Sequence, residues 1–297
     1  LGLRAITGDS KDFRTGVYTS KGVVGYDLTR LLIGSEGTLA IITEATLKLT
    51  PLPEAKKTIQ AIYQTVTDAA HAVSTIMSQP ITPCALEFID GNALNLIRKH
   101  INLPDNAGAL LMIEIDGEAQ GLNQAAEKLI NAATNQGLIS IQLAKNDDEV
   151  ESLWKVRKTL SPALRNIAPK KINEDVVVPV TNIPALITGL DELSKKYQLP
   201  IVNFGHAGNG NLHTNILVNP DIPEQNQNAE ACLAEMFNLV LTLNGTLSGE
   251  HGIGIAKRDF VANELDPTAI QIMRAIKQQF DPHGILNPEK LLPLTLL

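Results

Sequence analysis

The stretch "HAGNGNLH", His206 to His213, places two of the chain's six histidines either side of small and turn-forming residues. The residues before it, LPIVNFG, are apolar and β-branched, and so are those after it, TNILV, so both read as strands. Asn209-Gly210 between them is the strongest two-residue hairpin signal, because a type I′ turn needs positive φ at both central positions. A hairpin centred there pairs Gly208 with Asn211, Ala207 with Leu212 and His206 with His213. Directly opposed residues share a face, with Cβ atoms about 4.5–5.5 Å apart. Two imidazoles so placed can point at one ion. The same spacing also suits two unrelated polar residues on a wet face, and a metal needs a third ligand, usually a carboxylate.

Working outward, residues 56–198 alternate strand and helix patterns. KKTIQAIYQ, PCALEFID, GALLMIEID, LISIQLA and EDVVVPV read as strands. Helical spacing marks VTDAAHAVSTIMSQ, with Thr67 as N-cap, then GNALNLIRKH, EAQGLNQAAEKLINAATNQ, DEVESLWKVRKTLSPALRNI and IPALITGLDELSKKYQ. Beyond the hairpin, residues 222–245 form a helix with Pro223 in its first turn and Gly245 at its end. The pattern predicts an α+β fold: a ferredoxin-like domain whose mostly antiparallel sheet has helices over one face. The first fifty residues differ. GLRAIT and VYTSKGVVGYDL suggest short strands and turns. GSEG then leads into an alternating strand with Ile41, Thr43, Ala45 and Leu47 on one side. Pro51 and Pro53 place a boundary near residue 55. His71 and His100 read as structural or solvated.

The 297 residues are 44% hydrophobic and 19% charged, which suits one or two globular domains with real cores. A net charge of −7, without a basic block, excludes ordinary nucleic-acid binding, and aromatics at 4% leave no platform for stacking bases. Cys84 and Cys232 lie far apart, which argues against a disulfide scaffold and for a reducing compartment. No apolar run reaches the roughly 20 residues of a membrane span, and no signal segment opens the chain. These features place the chain in the cytoplasm, peripheral to a membrane at most.

A third ligand is available in NGTLSGEHGIGIAKR, residues 244–258. Adjacent side chains diverge, so Glu250 can complete a site with His206 and His213 while His251 faces a substrate as a base. A plain surface loop accounts for the Glu-His pair equally well. Two histidines and one carboxylate suit zinc, iron(II) or manganese, and the residues do not choose among them.

Five stretches carry a resemblance: FGHAGNGNLHTNIL, GTLSGEHGIGIAKR, KINEDVVVP, FDPHGILNPEKLL and GYDLTRLLIGSEGTLAIITEATLKL. Together the chain resembles the FAD-linked oxidases of the vanillyl-alcohol oxidase superfamily. The branch is that of D-lactate dehydrogenase, the FAD subunit of glycolate oxidase and D-2-hydroxyglutarate dehydrogenase. The resemblance implies that His206, His213 and Glu250 bind a divalent metal and that His251 is the general base. It implies that Arg157 binds the substrate carboxylate, with Asn215 and Lys171 as further substrate contacts. It also implies that the backbone of Gly34, Ser35, Glu36, Gly37 and Thr38, with Ile42, lines FAD, which Asn287 reaches from the carboxyl end. The family's first flavin-domain segment, with its Gly-rich pyrophosphate loop, has no counterpart in these residues. The implied organisation is therefore a remnant of the FAD-binding domain at 1–55 and a cap domain at 56–297, the carboxyl-terminal part of a longer enzyme. Glu289 stands where the family often has glycine.

The implied reaction is oxidation of a D-2-hydroxy acid, of the D-lactate or glycolate type, to the 2-oxo acid. The flavin accepts hydride, a metal lowers the hydroxyl pKa, and a neutral histidine takes its proton. Implied partners are the hydroxy acid and an electron acceptor: a cytochrome, a quinone, an iron–sulfur subunit or a flavoprotein. A homodimer is compatible with the same reading. The alternative is a non-catalytic module that binds metal or hydroxy acid and docks on a flavin subunit. A metallohydrolase would use the same ligands but leaves GSEGTLAIIT without a task.

Overall fold

The computed structural model describes residues 1–99, 103–164 and 168–294. His100 and the end of the helix expected to reach Ile167 lie outside these residues. In chain order the elements are β1 (Gly2–Thr7), β2 (Asp12–Gly16), α1 (Leu28–Leu32), β3 (Ala40–Thr46), β4 (Ala55–Tyr63) and α2 (Val66–Met77). Then come β5 (Ala85–Asp90), α3 (Gly91–Ile97), β6 (Ala109–Gly117), α4 (Ala119–Ala133), β7 (Leu138–Leu143) and α5 (Asp147–Leu164). The remainder is β8 (Lys170–Val177), α6 (Ile183–Tyr197), β9 (Ile201–His206), β10 (Asn211–Val218), α7 (Pro223–Thr242), α8 (Val261–Glu264) and α9 (Pro267–Phe280). They form two units, Leu52–Gly249 and Leu1–Pro51 with Glu250–Leu297.

In the first unit, seven antiparallel strands run in the order β7-β4-β6-β5-β9-β10-β8. Helices cover both faces, not the single face expected from the pattern. On one face, Ala93, Leu94 and Ile97 of α3 and Leu153, Val156 and Leu160 of α5 pack on Ile62, Ile89, Leu110, Met112, Val202 and Phe204. On the other, the hydroxyl of Tyr63 donates to Ala133 O of α4 at 2.7 Å. There α2 lies beside α4, α6 beside α2, and α7 beside α6. The reason is visible in β5: the neighbours Phe88 and Ile89 point to opposite faces, and both are fully buried. The cap of α2 is Thr65, two residues before the expected Thr67; its hydroxyl accepts from Asp68 N at 3.1 Å. His71 is exposed on α2, and both cysteines are free thiols.

The other unit is a three-stranded antiparallel sheet, β2-β1-β3, with a small core of Ala5, Leu32, Leu39 and Ala40. Residues Glu250–Leu297 pack with this unit. The cause is α9, which returns to β1 and β2: Gly8 N donates to Phe280 O at 2.8 Å, and the Phe13 and Phe280 rings lie 6.0 Å apart. The alternation expected from Ile41 to Leu47 breaks at Thr43, which bulges between the pairs Arg4↔Glu44 and Ala5↔Ile42, and the strand ends at Thr46. The segment Val17–Asp27 contains no strand; β2 lies just before it.

Candidate functional site

The hairpin departs from its expected register. One 3-10 turn, Ala207–Asn209, and Gly210 at φ +74° connect the strands, and Gly210 N donates to Ala207 O at 3.0 Å. A four-residue connection replaces the two-residue type I′ turn, so His213 pairs with Phe204 rather than with His206. The shift is by two residues, which preserves the face. His206, two beyond Phe204, becomes the diagonal neighbour of His213. The rings stand edge to face, 5.4 Å between centroids, with ligating nitrogens within 4.8 Å of each other. A position that tight requires glycine at 210, since a Cβ there would meet Val178 O at 1.9 Å.

The same face carries the rest of the site. Glu87 of β5 pairs in register with His206 and is 4% exposed. One carboxylate oxygen accepts from His206 Nδ1 and the other from Arg157 Nε, the latter at 2.8 Å. Arg157, on α5, also lies over the Phe204 ring at 4.6 Å. Its Nη1 and Nη2 make no hydrogen bond among the described residues. Asp175 of β8 pairs with His213. Its buried carboxylate accepts from Ser248 Oγ at 3.1 Å and Gly249 N at 3.0 Å, while its carbonyl takes a second bond from Gly249 N at 2.9 Å. Asp175 therefore fixes the loop end from which Glu250 and His251 follow; both are exposed.

Asn215 and Lys171 lie further along this face, Asn215 opposite Asn173 and Lys171 opposite Leu217. Asn215 is fully buried. Its amide donates to Val202 O and His213 O at 3.2 and 3.1 Å, and its oxygen accepts from Asn173 Nδ2 at 2.8 Å. Asn173, half-buried, is the accessible member of the pair. Lys171 belongs to β8, which starts four residues before the expected strand.

The residues expected at FAD fall in the other unit. Gly34, Ser35, Glu36, Gly37, Ile42 and Asn287 line one cavity of about 610 Å³; Thr38 faces a neighbouring one. Asn287 Nδ2 donates to Glu36 O at 2.5 Å, and a Cβ on Gly37 would meet that nitrogen at 2.8 Å. The Glu36 carboxylate, for which no task was read from the sequence, accepts from Ile253 N and Gly254 N, each at 2.7 Å. Gly252 must be glycine there, at φ +79° with Glu36 Oε1 only 2.7 Å from a Cβ. A backbone-lined cradle closed by an asparagine amide fits part of a flavin nucleotide.

Glu87 and Asp175 escaped the reading of the sequence. Glu87 left one trace, a charge inside the buried run ALEFID, and a buried charge needs a partner.

A family model, "FAD linked oxidases, C-terminal domain", matches residues 52–291. Glycolate oxidase subunit GlcD of Bacillus subtilis is 38% identical over 98% of this chain and 62% of its own length. The mitochondrial cytochrome-type D-lactate dehydrogenase of Arabidopsis thaliana is 32% identical over 99% of this chain and 52% of its own. The chain thus spans between half and two thirds of these relatives. In three dimensions, p-cresol methylhydroxylase with substrate bound superposes with a TM-score of 0.77 at 17% identity, over 99% of this chain and 65% of that one, which shows a common fold. No described helix is long and apolar enough to cross a membrane. Family model, relatives and fold agree: the chain belongs to the FAD-linked oxidases and contains their C-terminal domain.

Proposed function

We propose that the chain supplies the substrate-binding and proton-transfer machinery of a flavin-dependent dehydrogenase that oxidises a D-2-hydroxy acid, of the D-lactate or glycolate type, to the 2-oxo acid. The observation that carries this reading is the single sheet face on which the His206–His213 pair and Arg157 meet through Glu87. The names of the relatives, glycolate oxidase subunit and D-lactate dehydrogenase, support the same substrate class.

In this reading His206, His213 and Glu250 hold a divalent ion, zinc, iron or manganese; two neutral imidazoles and a carboxylate are an apt donor set. Residues Gly34–Thr38, Ile42 and Asn287 hold part of FAD. When bound, the ion supplies a Lewis acid and the flavin a hydride acceptor. Arg157 offers its free Nη edge to the substrate carboxylate as a two-pronged clamp. Lys171 and Asn173, the latter braced by Asn215, extend the polar face towards the same anion. His251 takes the hydroxyl proton on an imidazole nitrogen. The electron acceptor is a cytochrome, quinone or redox protein, in a cytoplasmic enzyme peripheral to the membrane at most.

The test is anaerobic mixing of the FAD-loaded protein with D-lactate and with glycolate, followed by loss of the oxidised flavin spectrum. The parental protein bleaches, and His251→Asn keeps its bound metal but bleaches at least a hundredfold more slowly, the scale of one general base. Bleaching at the parental rate removes His251 from the mechanism. No bleaching of the parental protein by any 2-hydroxy acid removes the proposed function.

A further inference from the structure

We infer that Glu87 is the positioning residue shared by the metal site and the substrate clamp, so that one buried carboxylate sets the geometry of both. The inference rests on the function proposed above and adds to it a residue that touches neither substrate nor ion.

Three observations carry it. Glu87 is 4% exposed, so its charge is held away from water and must be met by protein. Its two oxygens are divided: one accepts from His206 Nδ1, the other from Arg157 Nε at 2.8 Å. Its strand position is in register with His206, so the contact is built into the ladder between β5 and β9.

A carboxylate only accepts hydrogen bonds. Its contact with Nδ1 therefore places the ring hydrogen there and turns the Nε2 lone pair outward, the orientation a ligating histidine needs. Engaging Arg157 at Nε has the matching effect on the guanidinium. It uses the one nitrogen that does not belong to the Nη edge and leaves that edge for a planar anion. The Phe204 ring, 4.6 Å below, fixes the guanidinium plane. Loss of Glu87 frees both side chains to rotate, so metal and hydroxy acid should weaken together.

Equilibrium dialysis with zinc, then titration with D-lactate in the presence of zinc, tests this on the full chain carrying Glu87→Gln. Zinc affinity is expected to fall about 10- to 100-fold, the usual cost of losing a histidine's carboxylate partner, and D-lactate affinity to fall with it. Glu87→Asp, which keeps the charge on a shorter arm, should recover part of the loss, and it decides the matter if Glu87→Gln does not fold. A role confined to folding lowers the thermal unfolding midpoint and leaves the zinc affinity of folded protein unchanged; that result overturns the inference. Parental zinc binding with parental affinity in both variants overturns it alone. Absence of zinc binding by the parental chain overturns the metal reading, and the inference with it.

Discussion

Two buried carboxylates, one in each unit, carry pKa shifts of opposite sign. Asp90 caps α3 in the seven-stranded unit and accepts from Ala93 N, Asn203 N and Asn203 Nδ2, all neutral donors. Desolvation prevails over those bonds, and its pKa rises to about 7. Asp281 follows α9 in the three-stranded unit, where desolvation also raises its pKa, but the Lys277 ammonium and the amides of Leu286 and Ile285 outweigh that. The net pKa lies below the usual carboxylate range. The larger unit has enough packed apolar surface to bury an unpaired acid. The smaller one, with a core cluster of Ala5, Leu32, Leu39 and Ala40 and with Val23, Val24 and Tyr26 almost fully exposed, is fastened by charge.

The largest test of that contrast is a cavity. Leu94→Ala empties a fully buried position between α3 and the sheet and should cost about 4 kcal/mol. In urea unfolding the seven-stranded unit should show the whole shift. A loss of the same size confined to the three-stranded unit would invert the comparison.

Next is the fastening itself. Asp281→Asn leaves Lys277 among the carbonyls of Thr38 and Leu286 without its carboxylate, and should cost about 3 kcal/mol. The pH dependence separates the two acids. The Asp281 contribution is present above the unfolded pKa of an aspartate and is lost as pH falls through the lower folded value. The Asp90 contribution is present below the unfolded value and is lost as pH rises through about 7. Unfolding followed by hydrogen exchange in each unit from acid to neutral pH should therefore give slopes of opposite sign; slopes of one sign break the contrast.

The smallest effect is Tyr63→Phe. It removes the donor to Ala133 O between β4 and α4 and should cost about 1 kcal/mol, seen as a shift in urea midpoint. No shift would mean that water already serves that carbonyl.

How much of this was legible follows from the range of each interaction. Strands and helices between 56 and 245 announce themselves through apolar spacing, which is local. The face shared by His206 and His213 was legible for the same reason, although the register was not, because Asn209-Gly210 mimics a two-residue turn and the chain uses four residues. The coverage of both sheet faces by helices was hidden in β5, whose run of buried residues has no wet side to alternate with. Glu87 reaches His206 across 119 positions and Arg157 across 70, and no spacing rule spans such distances. The helix at Pro267–Phe280 was not read from the sequence, although Asp266 and the proline after it mark its start, and no local signal points to its packing beside β1.

The most direct test of the metal and substrate reading is the stoichiometry of divalent ion in the purified full chain. The account predicts one zinc, iron or manganese ion per chain, lost together from His206→Ala, His213→Ala and Glu250→Gln while Lys196→Ala, on the far helix layer, retains it. An ion held with parental stoichiometry and affinity after both histidines are replaced would contradict it.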